Sequence, residues 1–284
     1  MRSVMTVPVI VQRFVEKAPE AAADVICLDL EDSVPPAEKE AARPLARAAV
    51  EALGGAHTLY VRVNGYWTGL TDDDLAAVVR PGLDGVVLSK AESADAVRQL
   101  DDTLTHLERE HGIEAGHVAI APLLETAKGI MEAYDICPAS PRLSGAVFGA
   151  EDYATDMGVR RTEAGAEILW ARSLVAVACR ATGIAAIDTP DPNYTDETHL
   201  RREMTLAKSL GYTGKLCIHP FQVTIANEVF RPGAEEIAEA RAIVEAFERD
   251  GLARGRAAIA VDGRMIDTPI YWRAKRLVDW VERA

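Results

Sequence analysis

The sequence predicts an α/β protein folded as a (β/α)8 TIM barrel, and three observations carry that prediction. Eight short apolar runs recur along the 284 residues. Each is followed by a longer, charged, alanine-rich segment with helical spacing. The runs are hydrophobic almost without alternation, as parallel strands buried on both faces are. Eight such units in series close into a barrel more readily than they form an open sheet, and a barrel of about 250 residues absorbs most of the chain.

In order, the runs are VMTVPVI (4–10), DVICLDL (24–30), TLYVRV (58–63), GVVLSK (85–90), HVAIAPLLE (117–125), GAVFGAED (145–152), GIAAIDT (183–189) and GKLCIHP (214–220). The best-marked helices are PPAEKEAARPLARAAVEAL after the second run, SADAVRQLDDTLTHLEREHG after the fourth and TEAGAEILWARSLVAVACRATG after the sixth. The last has a long apolar face suited to packing on a barrel. No G-x-G-x-x-G follows the first run, so a dinucleotide-binding fold has no specific support. Beyond the eighth run come PFQVTIANEVF and PGAEEIAEARAIVEAFERDG. The chain then changes character: RGRAAIAVDGRMIDTPIYWRAKRLVDWVERA reads as a short extended stretch, a D-G turn at Asp262–Gly263 and a closing helix. A barrel does not need it. The expected organisation is a catalytic barrel over 1–250 and an extension over 251–284.

Composition narrows the function classes. Hydrophobic residues at 49% suffice to fill a core, and a net charge of −13 argues against a nucleic-acid surface, though a local basic cluster can still hold phosphates. Cys27, Cys137, Cys179 and Cys217 are far apart and form no C-x-x-C pair, so no zinc site is indicated. Three lie in apolar runs, where reduced, buried cysteine is the ordinary state, pointing to a cytoplasmic protein. The first twenty residues read as neither signal peptide nor membrane span.

In this fold the active site lies at the carboxyl ends of the strands. Polar residues ending the apolar runs are Asp29, Glu31 and Asp32; Arg62 and Asn64; Lys90; Glu125; Glu151 and Asp152; Asp188; and His219. Most are carboxylates. Converging carboxylates repel unless a cation joins them, and a set of oxygen ligands favours Mg²⁺ over zinc. Asp32, ahead of Ser33 and Pro35, can equally serve as a helix cap or a rim hydrogen-bonding group.

Six ordered strings, DLEDSVPPAEKEAAR, VRVN, LLETAKGI, FGAEDYATDMG, AIDTPDPNYTD and GYTGKLCIHPFQVTIANEVF, resemble the HpcH/HpaI aldolase and citrate lyase beta-subunit superfamily. Within it they are most similar to the stand-alone CoA-ester lyases that act on malyl-, methylmalyl- or citramalyl-CoA. The resemblance spans nearly the whole chain. It implies that Glu125 and Asp152 hold Mg²⁺, leaving positions open for a 2-oxo or 2-hydroxy acid. It makes Arg62 the substrate arginine, whose rigid fork suits a carboxylate or enolate oxygen better than a lysine would. It assigns Arg13 and Lys17, four apart and so on one helix face, to the CoA phosphates, although a solvated surface is the usual lot of an isolated basic pair. Ile218 and His219 are implied to lie along the thioester arm, His219 in a binding rather than a general-base role. VDGRMIDTP resembles the family's tail, a lid that covers a neighbouring subunit's active site and contributes an acid to it, here Asp267. Asp262 is read as the turn residue. Three departures from the family pattern stand out: Thr6 where an aromatic is often found, Val9 where a small residue is common, and Ser89 ahead of Lys90 where proline is frequent.

The implied activity is Mg²⁺-dependent cleavage or formation of a 3-hydroxyacyl-CoA, giving a 2-oxo acid and an acyl-CoA, with thioester hydrolysis as a related outcome. The implied assembly is a homotrimer or hexamer with no nucleic-acid or membrane partner. The competing expectations are a citrate lyase beta subunit acting on an acyl-carrier thioester, a CoA-independent class II aldolase, and a barrel that binds without turnover.

Overall fold

The computed structural model describes residues 1–261 and 263–283; Asp262 lies outside the described residues. Eight parallel strands close in sequential order into a barrel: β1 (Ser3–Pro8), β2 (Val25–Asp29), β3 (Leu59–Val63), β4 (Gly85–Leu88), β5 (Ala119–Leu124), β6 (Gly145–Phe148), β7 (Ala185–Asp188) and β8 (Gly214–Cys217), with β1 pairing back onto β8. All eight predicted runs form strands. Each strand is shorter than its run because the last residues of most runs turn off the barrel to build its mouth.

The uniform hydrophobicity of the strands has two destinations. One set of side chains, among them Val4, Cys27, Tyr60, Val87, Leu123, Val147, Ile187 and Leu216, meets inside the barrel. The alternate set packs outward against the helices, with Leu28, Val61, Leu88, Ile120 and Phe148 fully buried there. Tyr60 fills much of the interior, and a β-carbon on Gly85 would lie 2.4 Å from its ring, which is why β4 opens with glycine. The three expected helices are present at Lys39–Leu53, Ala94–Glu110 and Ala166–Thr182. Ser93 caps the second, its hydroxyl accepting from Ala96 N–H at 3.2 Å. Among the described residues no helix is long and apolar enough to cross a membrane. All four cysteines are free and buried, and burial pushes the Cys27 and Cys217 thiols up to about 12.

The chain forms two compact units, Met1–Phe230 and Arg231–Ala284. The second begins ahead of residue 251 because the helix Ala234–Asp250 shares a core with the segment C-terminal to it. Phe247 stacks on Tyr271 at 4.8 Å between centroids, and Val244, Ile266, Ala274 and Val278 bury around them. The extended stretch is a two-stranded antiparallel hairpin, β9 (Ala258–Val261) and β10 (Arg264–Asp267), followed by the helix Thr268–Arg283.

Candidate active site

The carboxyl ends of the strands gather charged side chains around a cavity of about 180 Å³ lined by Thr6, Asp32, Arg62, Leu123, Glu125 and Asp152, among others. Arg62, one residue short of the end of β3, has its guanidinium only 11% exposed. Its Nε and Nη2 donate to the two oxygens of Asp29 at 2.7 and 2.6 Å, leaving Nη1 for Glu31 at 3.2 Å and Asp32 at 3.4 Å. Asp29 is itself fully buried at the end of β2. Burial opposes its ionisation, but the Arg62 charge and fork outweigh this and hold its carboxyl below the usual range. Asp32 therefore serves as a rim partner of Arg62 rather than a helix cap.

Glu125, immediately after β5, is 2% exposed. Its Oε1 accepts the Lys90 backbone N–H at 2.9 Å. Burial first, and the neighbouring Asp152 charge second, push its pKa up to about 8. Asp152 stands in the first turn of the helix Ala150–Asp156 after β6. Gly149, just before that helix, passes so close to Glu125 that a β-carbon there would lie 2.5 Å from Oε2. Lys90 links the two carboxylates: its ammonium is 2.9 Å from Asp152, 3.1 Å from Glu31 and 3.9 Å from Glu125. Burial opposes that positive charge, yet the surrounding carboxylates outweigh it and push its pKa up.

Asp29, Glu31, Asp32, Glu125 and Asp152 thus face Arg62 and Lys90, an excess of negative charge around one cavity. Glu125 and Asp152 are the pair that could hold a divalent cation: hard oxygen donors from adjacent strand ends, one of them buried against its own charge. Among the described residues no group of three or more His, Cys, Asp or Glu side chains forms a metal cage, so two protein ligands would leave the remaining positions to water or substrate.

A second, largely apolar cavity of about 370 Å³ adjoins the first through shared walls at Thr6 and Ile218. Its other walls include Phe14, Lys17, His219 and Pro220. Arg13 is exposed and stacks its guanidinium 4.9 Å above Phe14 rather than lining the cavity. His219 caps the helix Pro220–Val229, its Nδ1 accepting from Phe221 N–H at 3.2 Å, and stacks on Tyr194 at 4.9 Å. Nδ1 is thereby committed to the helix cap.

Asp188, a strand-end acid in the sequence, does not line the charged cavity. It is fully buried and held by the Arg172 fork at 2.8 Å on each oxygen and by Lys215 at 2.9 Å. Asp267 belongs to the second unit, where it accepts from Ile270 N–H at 3.2 Å at the start of the closing helix. Lys90, a strand-end residue to which the sequence assigned no role, stands among the carboxylates of Glu31, Glu125 and Asp152.

The family model described as HpcH/HpaI aldolase/citrate lyase matches residues 2–220. The chain belongs to this family. The matched span covers all eight strands of the barrel and every residue that lines the charged cavity. The citrate lyase subunit beta of Leuconostoc mesenteroides subsp. cremoris is 37% identical over 278 residues, covering 98% of this chain and 92% of its own. The L-malyl-CoA/beta-methylmalyl-CoA lyase of Cereibacter sphaeroides is 35% identical over 288 residues, covering 94% and 90%. Among solved structures, the CitE protein of Mycobacterium tuberculosis in complex with magnesium, acetoacetate and coenzyme A is 30% identical, with a TM-score of 0.79 and 98% of each chain covered. These HpcH/HpaI relatives are lyases, and the non-catalytic reading of the barrel loses its footing beside them.

Proposed function

We propose that this protein is a Mg²⁺-dependent carbon–carbon lyase that cleaves or forms a 3-hydroxyacyl-CoA of the malyl-, methylmalyl- or citramalyl-CoA kind, exchanging it with a 2-oxo acid and an acyl-CoA. The observation that carries this reading is the junction of two cavities. A small, charged one lined by Arg62, Glu125 and Asp152 shares its walls at Thr6 and Ile218 with a larger apolar one that Lys17 also lines. A polar reacting end joined to a long, mostly apolar arm ending in phosphates has that shape and polarity.

Glu125 and Asp152 would hold the divalent ion, which supplies Lewis-acid polarisation of the 2-oxo or 2-hydroxy oxygen. In the cleavage direction the substrate hydroxyl loses its proton to a base and its oxygen becomes the carbonyl of the 2-oxo acid. The carbon–carbon bond breaks, and its electron pair becomes the enolate of the acyl thioester, which then takes up a proton. Arg62 stabilises the developing enolate, and its two bonds to Asp29 keep the guanidinium from following the substrate. Asp267 of a neighbouring copy, carried on the 251–284 lid, moves the proton in this proposal. Ile218 and His219 support the thioester arm, while Lys17 and Arg13 meet its phosphates. A homotrimer or hexamer in the cytoplasm fits such a lid and the four free thiols.

A citrate lyase beta subunit acting on an acyl-carrier thioester is the second reading, favoured by the 37% identity to a protein of that name. A panel of hydroxyacyl-CoA esters, read by mass spectrometry with Mg²⁺ and again after chelation, separates the two. Mg²⁺-dependent release of a 2-oxo acid from a free CoA ester supports the proposal. No turnover of any of them, with metal binding unchanged in Glu125→Ala, overturns it. Turnover confined to a carrier-protein thioester supports the second reading.

A further inference from the structure

Lys90 has a backbone that the metal-site assignment does not explain. Its φ is +47°, and with Ala22 it is one of two non-glycine residues in the left-handed region among the described residues, a costly conformation for a residue with a long side chain. The conformation aims both ends of the residue at the same site. The N–H donates to Glu125 Oε1 at 2.9 Å, and the ammonium lies 2.9 Å from Asp152 Oδ1. A side chain that merely needed a surface ion pair would not require it.

The ammonium also has two further partners. It stands 5.2 Å from the ring centroid of Trp67, an indole 58% exposed that folds over Gly65. It is in contact with Glu31 at 3.1 Å. A cavity of about 360 Å³ lined by Trp67, Lys90, Glu92, Thr126, Asp152, Thr155 and Asp156 adjoins the Lys90–Asp152 pair.

We propose that Lys90 is a displaceable counterion for the metal carboxylates: its ammonium neutralises Asp152 and faces Glu125 until a divalent cation takes those oxygens, then shifts off Asp152 and closes on Trp67 and Glu31, which it already meets. Its N–H stays on Glu125 throughout and keeps that carboxylate aimed. The inference rests on the reading of Glu125 and Asp152 as the metal ligands. Coulomb's law gives it two consequences. A cation that must leave weakens metal binding, so removing it strengthens binding. A cation that moves over an indole changes that indole's emission.

The test is a titration of the full-length protein with Mg²⁺ and with Mn²⁺, followed by calorimetry and by tryptophan emission. The wild type is expected to show saturable binding with a matching change in emission. Lys90→Met is expected to bind Mn²⁺ about tenfold more tightly, a difference of roughly 1.4 kcal/mol, and to lose the emission change. Lys90→Arg, which keeps the charge, should stay within about threefold of wild type. Trp67→Phe should lose the emission response and keep the calorimetric one, a comparison that tests the displacement with Lys90 intact. Equal or weaker Mn²⁺ binding by folded Lys90→Met, or an emission response that survives in Trp67→Phe, overturns the proposal. If Glu125→Gln abolishes binding while Lys90→Met changes nothing, only this inference fails. If the wild type binds neither ion, the proposed function fails with it.

Discussion

Gly149 and Glu125 share a space with no room for a methyl group: a β-carbon at Gly149 would lie 2.5 Å from Glu125 Oε2 and 2.6 Å from Glu125 Cβ. Gly149 has φ −108°, a conformation open to any residue. Its identity is therefore set by the neighbouring carboxylate and not by its own backbone. Gly149→Ala should push Glu125 off its position, costing about 1–3 kcal/mol of stability by overpacking and roughly tenfold in Mg²⁺ affinity. Thermal melts and calorimetry check the two effects, and an alanine variant with wild-type metal affinity would show that the close approach has no bearing on the site.

Arg62→Lys keeps the positive charge and removes the fork. Asp29, fully buried, then keeps the Glu31 and Ser33 N–H groups but loses one of the two bonds from the fork, and no group is left fixed where Nη1 stood. The expected outcome is a fall of about 100-fold in kcat/KM, carried mainly by kcat, as for loss of a preorganised donor. Steady-state kinetics with a CoA ester and a melt to verify folding decide it; a change confined to KM would assign Arg62 to ground-state binding.

Lys17 lines the apolar cavity at its charged edge. Lys17→Ala should raise KM for CoA thioesters by about tenfold while kcat stays within about twofold, since a phosphate contact binds ground state and transition state alike. The effect should shrink at high salt. An aldolase acting on free 2-oxo acids would show no such change, so the same variant also tests whether the acyl carrier is CoA.

Acid stability should depend on a site far from the chemistry. Glu108, fully buried in the helix Ala94–Glu110, accepts the Arg142 fork at 2.7 Å on each oxygen and the N–H groups of Gly116 and Val118 at 2.8 Å. Burial opposes its ionisation, but these donors outweigh it and hold its carboxyl below its ordinary value of 4.5. A depressed folded-state pKa contributes stability that is full above the unfolded value and is lost as pH falls through the folded one. Melting temperature should therefore drop steeply below about pH 4.5. Glu108→Gln should flatten that dependence while costing about 1–3 kcal/mol at neutral pH, because the buried Arg142 keeps Asp101 as an anionic partner but loses the carboxylate that its fork grips. Melts over a pH series would show both.

Much of this protein is legible from residue order. Eight apolar runs predict eight strands because a buried parallel strand has no polar face to interrupt it. In a barrel every strand's carboxyl end reaches the same mouth, so the last polar residue of each run is a candidate without any knowledge of contacts. Arg62, Glu125 and Asp152 are named this way, and each lines the charged cavity at the barrel mouth. The second unit was less legible. The helix Ala234–Asp250 looks like one more barrel helix in sequence, and only its burial of Phe247 against Tyr271 shows which core it serves.

Order along the chain determined the barrel, the family and the cast of strand-end acids. Only the tertiary structure decided which of those acids are free to take a cation. Asp29 is answered by Arg62, 33 residues away, and Asp188 by Arg172 and Lys215, 16 and 27 residues away. Glu125 and Asp152 share the single ammonium of Lys90. Neutralisation acts through space, falling off with distance in ångströms and not in residues, so a run of letters shows where a carboxylate stands but not whether its charge is already spoken for.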